Sequence, residues 1–226
     1  MFVHQHPYPP FLFEQATRWI VGTLPPPRFT QGLLRPGDVD FCYGSRDGQL
    51  WPILERIYGL NLSYETSQEA VEERKAFLHE YKIGICDMVA RAEREKIDAS
   101  DQGMKNVRLR DLVGLLQQYP RVERLLFTGG NSKNGPEYLF RRHLKEYGIQ
   151  LEKISDEIPR IHQFQMPGDT GSARLITTVS LTAPSGSANR AVGSLPEYKA
   201  GKAKDPSYTV IDFRVEQNRR FFDLQE

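Results

Sequence analysis

RWIVGTLPPP, Arg18 to Pro27, carries the strand-and-loop unit from which the architecture can be read. Trp19, Ile20 and Val21 form a short aromatic and β-branched run that fits a buried strand. The run stops at Gly22, and Pro25, Pro26 and Pro27 exclude its continuation, because proline lacks a backbone N–H and fixes φ. A buried strand feeding a rigid loop is the expected unit. Three more runs share that form. KIGICDMV, Lys82 to Val89, reads as a second strand entering a turn. ERLLFTGG, Glu123 to Gly130, reads as a third, halted by paired glycines. ARLITTVSLTAPSG, Ala173 to Gly186, reads as a fourth with a turn at its end. Helical spacing is expected over Leu50 to Tyr58, with Trp51, Leu54 and Tyr58 on one face, from Ser67 through Leu78, and from Gly135 to Tyr147. Thr23 to Tyr43 reads as loop. Thr209 to Val215 fits a late edge strand or a helix. The Pro- and His-rich residues 1–16 predict an irregular arm.

Strands alternating with helices predict one α/β domain over residues 1–226, with a mainly parallel sheet covered on both faces. Ligands of such sheets bind outside the carboxyl ends of the strands. The segments GTLPPP, CDMV, TGGN and APSGSAN are therefore expected to meet, with Gly22, Asp87, Gly129 and Ser185 near that edge.

Composition narrows the function. The 226 residues are 39% hydrophobic and 26% charged, an ordinary globular balance. A net charge of +1 excludes a strongly basic coat but not a local basic groove. Cys42 and Cys86 are too few for a disulfide framework and too separated for a metal knuckle. His4, His6, His79, His143 and His162 have no zinc-like spacing. There is no G-x-S-x-G elbow and no P-loop, and Gly129, Gly130 and Gly135 do not match a dinucleotide fingerprint. Metal, acyl-transfer and nucleotide-hydrolysis chemistry find no support. No apolar run approaches the ~18–20 residues of a membrane span. The opening residues lack the basic-then-apolar order of a signal peptide. A reducing, cytoplasmic setting is expected.

Four segments carry candidate chemistry. Gly22 permits close backbone approach to a ligand. Phe41 or Tyr43 can stack on a flat base, worth ~1–3 kcal/mol. Asp47 suits either a water-orienting carboxylate or a plain turn and helix cap. Asp87 directly follows the apolar Ile83 to Cys86, where a carboxylate is costly unless paired. A base edge, Arg91, Arg94 or loop backbone would each serve. Ser185, Gly186 and Ser187 fit a tight loop against phosphates, or an ordinary solvent-exposed turn.

Taken in order, these segments resemble the uracil-DNA glycosylase superfamily. Gly22-Thr23-Leu24-Pro25 is similar to its first, Gly-x-x-Pro motif, and Ala183 to Asn189 to its last, Pro/Ser-rich loop. Gly84 to Val89 is similar to the thymine-DNA and mismatch-specific branch, and Tyr43 to Trp51 to the hypoxanthine-DNA branch. The resemblance implies a three-layer α/β/α sandwich with a short, mainly parallel sheet and no metal or organic cofactor. It implies a monomer in base-excision repair, associated with the nucleoid in a bacterium. Its substrate would be duplex or single-stranded DNA. A uracil- or hypoxanthine-like base is flipped and its N-glycosidic bond hydrolysed. Gly22, Thr23 and Leu24 would then line the water and base site, Phe41 or Tyr43 stack, and Asp87 read the base edge. Ser185, Gly186, Ser187, Asn189 and Arg190 would contact DNA. The superfamily's polar first-motif residue is here Leu24, and Gly48 stands where the hypoxanthine branch has Asn. Water activation therefore falls to Asp47. Loss of that activator would leave a silent nucleic-acid binder.

Overall fold

The computed structural model describes residues 1–167 and 173–222. In chain order its elements begin with β1 (Phe2–Gln5), β2 (Arg18–Val21), α1 (Pro27–Thr30), α2 (Leu50–Tyr58) and α3 (Gln68–Glu80). There follow β3 (Ile83–Ile85), β4 (Val89–Arg94), a 3-10 turn at Asp101–Gly103, β5 (Lys105–Leu109), α4 (Leu112–Gln118), β6 (Arg124–Phe127) and α5 (Pro136–Glu146). The chain closes with β7 (Glu152–Ser155), β8 (Arg160–Met166), β9 (Arg174–Ser180), a 3-10 turn at Gly186–Ala188, α6 (Asn189–Ser194), α7 (Pro196–Lys204) and α8 (Val210–Phe222).

The larger sheet has the order β3-β2-β6-β9-β8-β7. β3, β2, β6 and β9 run parallel, while β8 and β7 add an antiparallel margin beyond β9. Strand alternation sends Trp19, Val21, Leu125 and Phe127 into one apolar cluster, with Leu112, Val113 and Leu116 of α4 and Leu139, Phe140 and Leu144 of α5. Ile20, Leu126 and Val179 enter a second, with Leu50, Trp51 and Leu54 of α2, Phe77 and Leu78 of α3 and Phe222 of α8. Both faces of a mostly parallel sheet are thus covered by helices, which is why the strands read as unbroken apolar runs.

Local signals set the helix ends. Ser67 caps α3 by accepting from the Ala70 N–H. Gly59, at φ 67°, ends α2 in the left-handed region. Pro136 sits in the first turn of α5, where no N–H is needed. Thr209–Val215 resolves as helix, lying in and just before α8. Among the described residues no helix is long and apolar enough to cross a membrane.

Three expectations change. Thr23 to Tyr43 is not all loop, since it holds the helical turn α1. KIGICDMV is not one strand. β3 ends at Ile85, the Met88 N–H caps the Gly22 carbonyl, and the chain leaves for a second sheet of order β1-β4-β5. Asp87 stands in the gap between the two sheets. Nor is the whole N-terminal arm irregular. β1 pairs antiparallel with β4, and the His6 N–H donates to the Ala90 carbonyl. That pairing carries His6 to Asp87.

Candidate active site at the carboxyl edge of the sheet

A crevice of about 900 Å³ opens at the carboxyl ends of the parallel strands. Asp87 is its structural centre and is only 5% exposed. One carboxylate oxygen accepts from the Gly22 N–H at 2.7 Å and the Tyr43 hydroxyl at 2.8 Å; the other faces His6 Nε2 at 2.9 Å. The Tyr8 N–H donates to His6 Nδ1, so the ring proton sits on Nε2 and points at Asp87. Burial opposes ionisation of Asp87. The His6 hydrogen bond, then the Tyr43 hydroxyl and the Arg110 charge, outweigh it and hold the carboxyl below its ordinary value. Asp87 thus ties the turn after β2, the Tyr43 turn and the N-terminal arm into one unit. Neither Arg91 nor Arg94 is its partner: Arg91 pairs with Glu93, and Arg94 with His4 and Asp98.

Tyr43 holds the left-handed φ of 59°, strain of the kind that collects at functional sites. Its hydroxyl also lies 3.3 Å from Thr128 Oγ1, just after β6. Burial first, then the Asp87 charge, pushes its phenol well above the ordinary value, so it remains a neutral donor. Tyr43 and Tyr8 present aromatic surface to the crevice. Phe41 does not. It is buried in the core against Phe11 and Trp51 with ring centroids 5.7 and 6.4 Å away, a correction to its assignment as a stacking residue. The left-handed turn at Tyr43 brings its side chain to the opening, while Phe41 stays in the core.

Thr23 and Leu24 line the crevice, and the Thr23 hydroxyl donates to Asp101 at 2.7 Å. Asp47 lies at the rim with its side chain 67% exposed, 3.4 Å from Arg28. Arg28 itself is clamped in bidentate fashion by Asp38 at 2.8 Å and donates to the Ser45 hydroxyl. Asp38, fully buried, also accepts from the Arg35 and Arg46 N–H groups. Burial works against its charge, but Arg28 and these backbone donors hold its carboxyl down at about 2. The expected cap role of Asp47 is absent: α2 is preceded by Gln49 with no side-chain cap.

The opposite wall is the loop after β9. Pro184, Ser185, Gly186 and Ser187 line the crevice, Gly48 pairs with Ser185, and the Gln49 N–H donates to the Pro184 carbonyl. Behind the loop the buried Arg214 of α8 donates to Gln49 Oε1, Asn189 Oδ1 and the Ser185 carbonyl. Burial lowers this guanidinium to about 10. Asn189 is therefore drawn back toward α8, whereas Arg190 is exposed. Gly129 packs against Pro136 rather than lining the crevice, and Thr128 and Ser132 represent the β6 loop there.

The structure thus gathers Thr23, Leu24, Tyr43, Asp47, Asp87, Ser185, Gly186 and Ser187 at one crevice, with Gly22 bonded to Asp87. It leaves out Phe41, Asn189 and Arg190. His6, Asp101, Thr128 and Arg28 are crevice residues that the sequence reading missed. Among the described residues no three His, Cys, Asp or Glu side chains are grouped as metal ligands. A larger cleft of about 1360 Å³ opens at the amino end of the sheet. Its arginines are interleaved with Glu123, Asp212 and Glu216, and Arg56 is paired with Asp212. The carboxyl-edge crevice is the better candidate, because it is where strand ends, backbone turns and a pre-ordered carboxylate converge.

No family model matches the chain, and no curated protein matches it. Among solved structures it is similar to a solution NMR structure from Methanosarcina acetivorans, of a protein provisionally named a uracil DNA glycosylase. The identity is 16%, the match covers 98% of this chain and 99% of that one, and the TM-score is 0.56. At that identity the likeness extends to the fold: the chain shares the architecture of that protein along nearly its whole length.

Proposed function

We propose that the protein is a monofunctional DNA glycosylase that hydrolyses the N-glycosidic bond of a flipped, deaminated or mismatched base. One observation carries the reading. The Gly22-x-x-Pro25 turn, Tyr43 and the Pro184–Ser187 loop face one another across a single crevice, at the carboxyl edge of a fold shared with a protein named for that activity. Helices on both faces of the sheet support a three-layer α/β/α sandwich as its frame. A flipped base would enter between Tyr43 and Leu24, and the Tyr43 hydroxyl and Thr128 would offer polar contacts to its edge. Asp87, with both oxygens engaged, acts by holding Gly22 and Tyr43 in place. The Ser185 and Ser187 hydroxyls, 3.0 Å apart at the surface, suit phosphate oxygens. Catalysis would rest on stabilising charge that develops on the sugar and the leaving base.

Duplexes carrying uracil, hypoxanthine, xanthine or mismatched thymine test this directly. Alkali should cleave the strand at one or more of these lesions after incubation with the protein. Binding without cleavage at any lesion would favour a silent relative, consistent with Leu24 and Gly48 in place of polar residues. Cleavage of free nucleosides but not of DNA would place the substrate outside nucleic acid.

Arg190 gives a separate test of the DNA face. It is exposed next to the Ser185–Ser187 loop, where a guanidinium meets phosphate through counterion release. R190A should weaken binding to any duplex and reduce the slope of log affinity against log salt by about 1. An unchanged slope would move the phosphate contacts elsewhere.

A further inference from the structure

Three carboxylates among the described residues line the crevice, and their surroundings differ sharply. Both Asp87 oxygens are already engaged, by three donors. Asp47 is solvated at the rim and paired with Arg28. Asp101 is half-buried on the wall beside the first-motif loop. One of its oxygens accepts from the Thr23 hydroxyl at 2.7 Å, and no hydrogen bond from the described residues reaches the other.

The segment bearing Asp101 is held from beneath by buried groups. Arg94, 1% exposed, donates to the Ser100 carbonyl and to His4 Nδ1. Asn134, 5% exposed and at φ 61°, donates to the carbonyls of both Asp101 and Met104. A lysine- and aspartate-rich loop on the surface needs no such anchoring for its own sake. The anchors fix where one carboxylate points.

We propose that Asp101 is the general base of the crevice. This rests on the glycosylase reading. Its unbonded oxygen takes a proton from the attacking water. The water oxygen bonds to the anomeric carbon of the flipped nucleotide, and the C–N bonding pair leaves with the base. The proton then passes to the departing base or to solvent, giving free base and an abasic sugar with one water consumed.

The electrostatics agree with that duty. Burial raises the Asp101 carboxyl to about 6; the Thr23 hydroxyl and Arg94 oppose the rise, and the charge of Asp87 adds to it. Asp98, in the same loop, faces Arg94 rather than Asp101. His4 sits behind Arg94, where burial and then the Arg94 charge lower it to about 4, so it stays neutral. Asp101 is thus mostly ionised at neutral pH yet far more basic than an ordinary aspartate. Because its folded-state pKa is raised, ionisation costs stability, and that cost appears as pH rises through the folded value.

The test is single-turnover excision by D101N on whichever duplex of the uracil, hypoxanthine, xanthine and thymine set wild type cleaves fastest. Asn keeps the acceptor for Thr23 and removes the base. The rate should fall ~100-fold or more, the range of general-base contributions. Duplex affinity should hold, the acid limb near pH 6 should vanish, and the melting temperature above that pH should be no lower than wild type. T23V is the companion variant. Losing the donor raises the Asp101 pKa, so its acid limb should move to higher pH, which a purely structural role would not produce. Wild-type rate and an unmoved acid limb in both variants would overturn the role of Asp101 while leaving the glycosylase reading intact. A wild type that cleaves no lesion would overturn both.

Discussion

D87A is expected to lower the melting temperature more than any other single change in the crevice, and to slow excision with it. The substitution removes the common acceptor of the Gly22 N–H, the Tyr43 hydroxyl and His6 Nε2–H, beneath the floor of the crevice where little water reaches. Stripping one partner from a buried charged network costs about 3–5 kcal/mol. For a chain of this size each kcal/mol corresponds to about 2–4 °C, so the transition should fall by roughly 6–20 °C. The three released segments form the crevice wall, and misplacement by about 1 Å can cost ~100-fold in rate. D87N separates shape from charge. Its carbonyl oxygen can still accept from Gly22 and Tyr43, but its amide would meet the His6 Nε2–H donor to donor. The other His6 tautomer would point its Nδ1–H at the Tyr8 N–H, 3.1 Å away. D87N should therefore be less stable than wild type and more stable than D87A. The wild-type advantage should be full above the ordinary aspartate pKa and fade as pH falls through the depressed folded value. Thermal melts across acid pH check this; equal melting of D87A and wild type would mean that the network holds nothing.

G22A should be nearly as damaging for a different reason. A methyl on Gly22 would lie 2.4 Å from the Tyr43 hydroxyl oxygen and 2.9 Å from Asp87 Oδ1. Tyr43 has little room to retreat. Its backbone is already left-handed, and the next residue, Gly44, is packed so tightly that a Cβ there would stand 2.0 Å from the Val39 carbonyl oxygen. Overpacking of this kind costs about 1–3 kcal/mol. Tyr43 must also swing into the crevice, so the variant should bind substrate poorly even at temperatures where it stays folded. Combined with D87A, the stability losses should be less than additive, because each change disrupts the same contact. Full additivity would show that the two act independently.

The parallel core of the fold was legible because strands buried on both faces leave continuous apolar runs, as in Trp19–Val21 and Leu125–Phe127. Glycines and prolines after those runs marked the edge at which the crevice opens. The small β1-β4-β5 sheet was not legible. Its strands carry alternating charge, as in Arg91, Glu93 and Arg94 beside Ala92, and draw their order from pairing with distant segments. The site was legible where a residue's oddity was local, as with Asp87 after an apolar strand. It was illegible where the meaning lay in a partner. His6 reaches Asp87 across 81 positions, and Asp101 stands among ordinary charged loop residues until Thr23, Arg94 and Asn134 are placed around it. Phe41 and Tyr43 looked equivalent, since only the backbone decides which of two neighbouring aromatics faces the core.

Cleavage of an N-glycosidic bond in DNA by this crevice is read from its products by mass spectrometry. A duplex with one deaminated base, incubated with wild-type protein, should yield the free base and a strand whose mass corresponds to an intact abasic sugar. Neither product should form at a comparable rate with G22A. Recovery of the lesion strand unchanged for every base offered, from protein that demonstrably binds the duplex, would rule out glycosidic cleavage at this crevice.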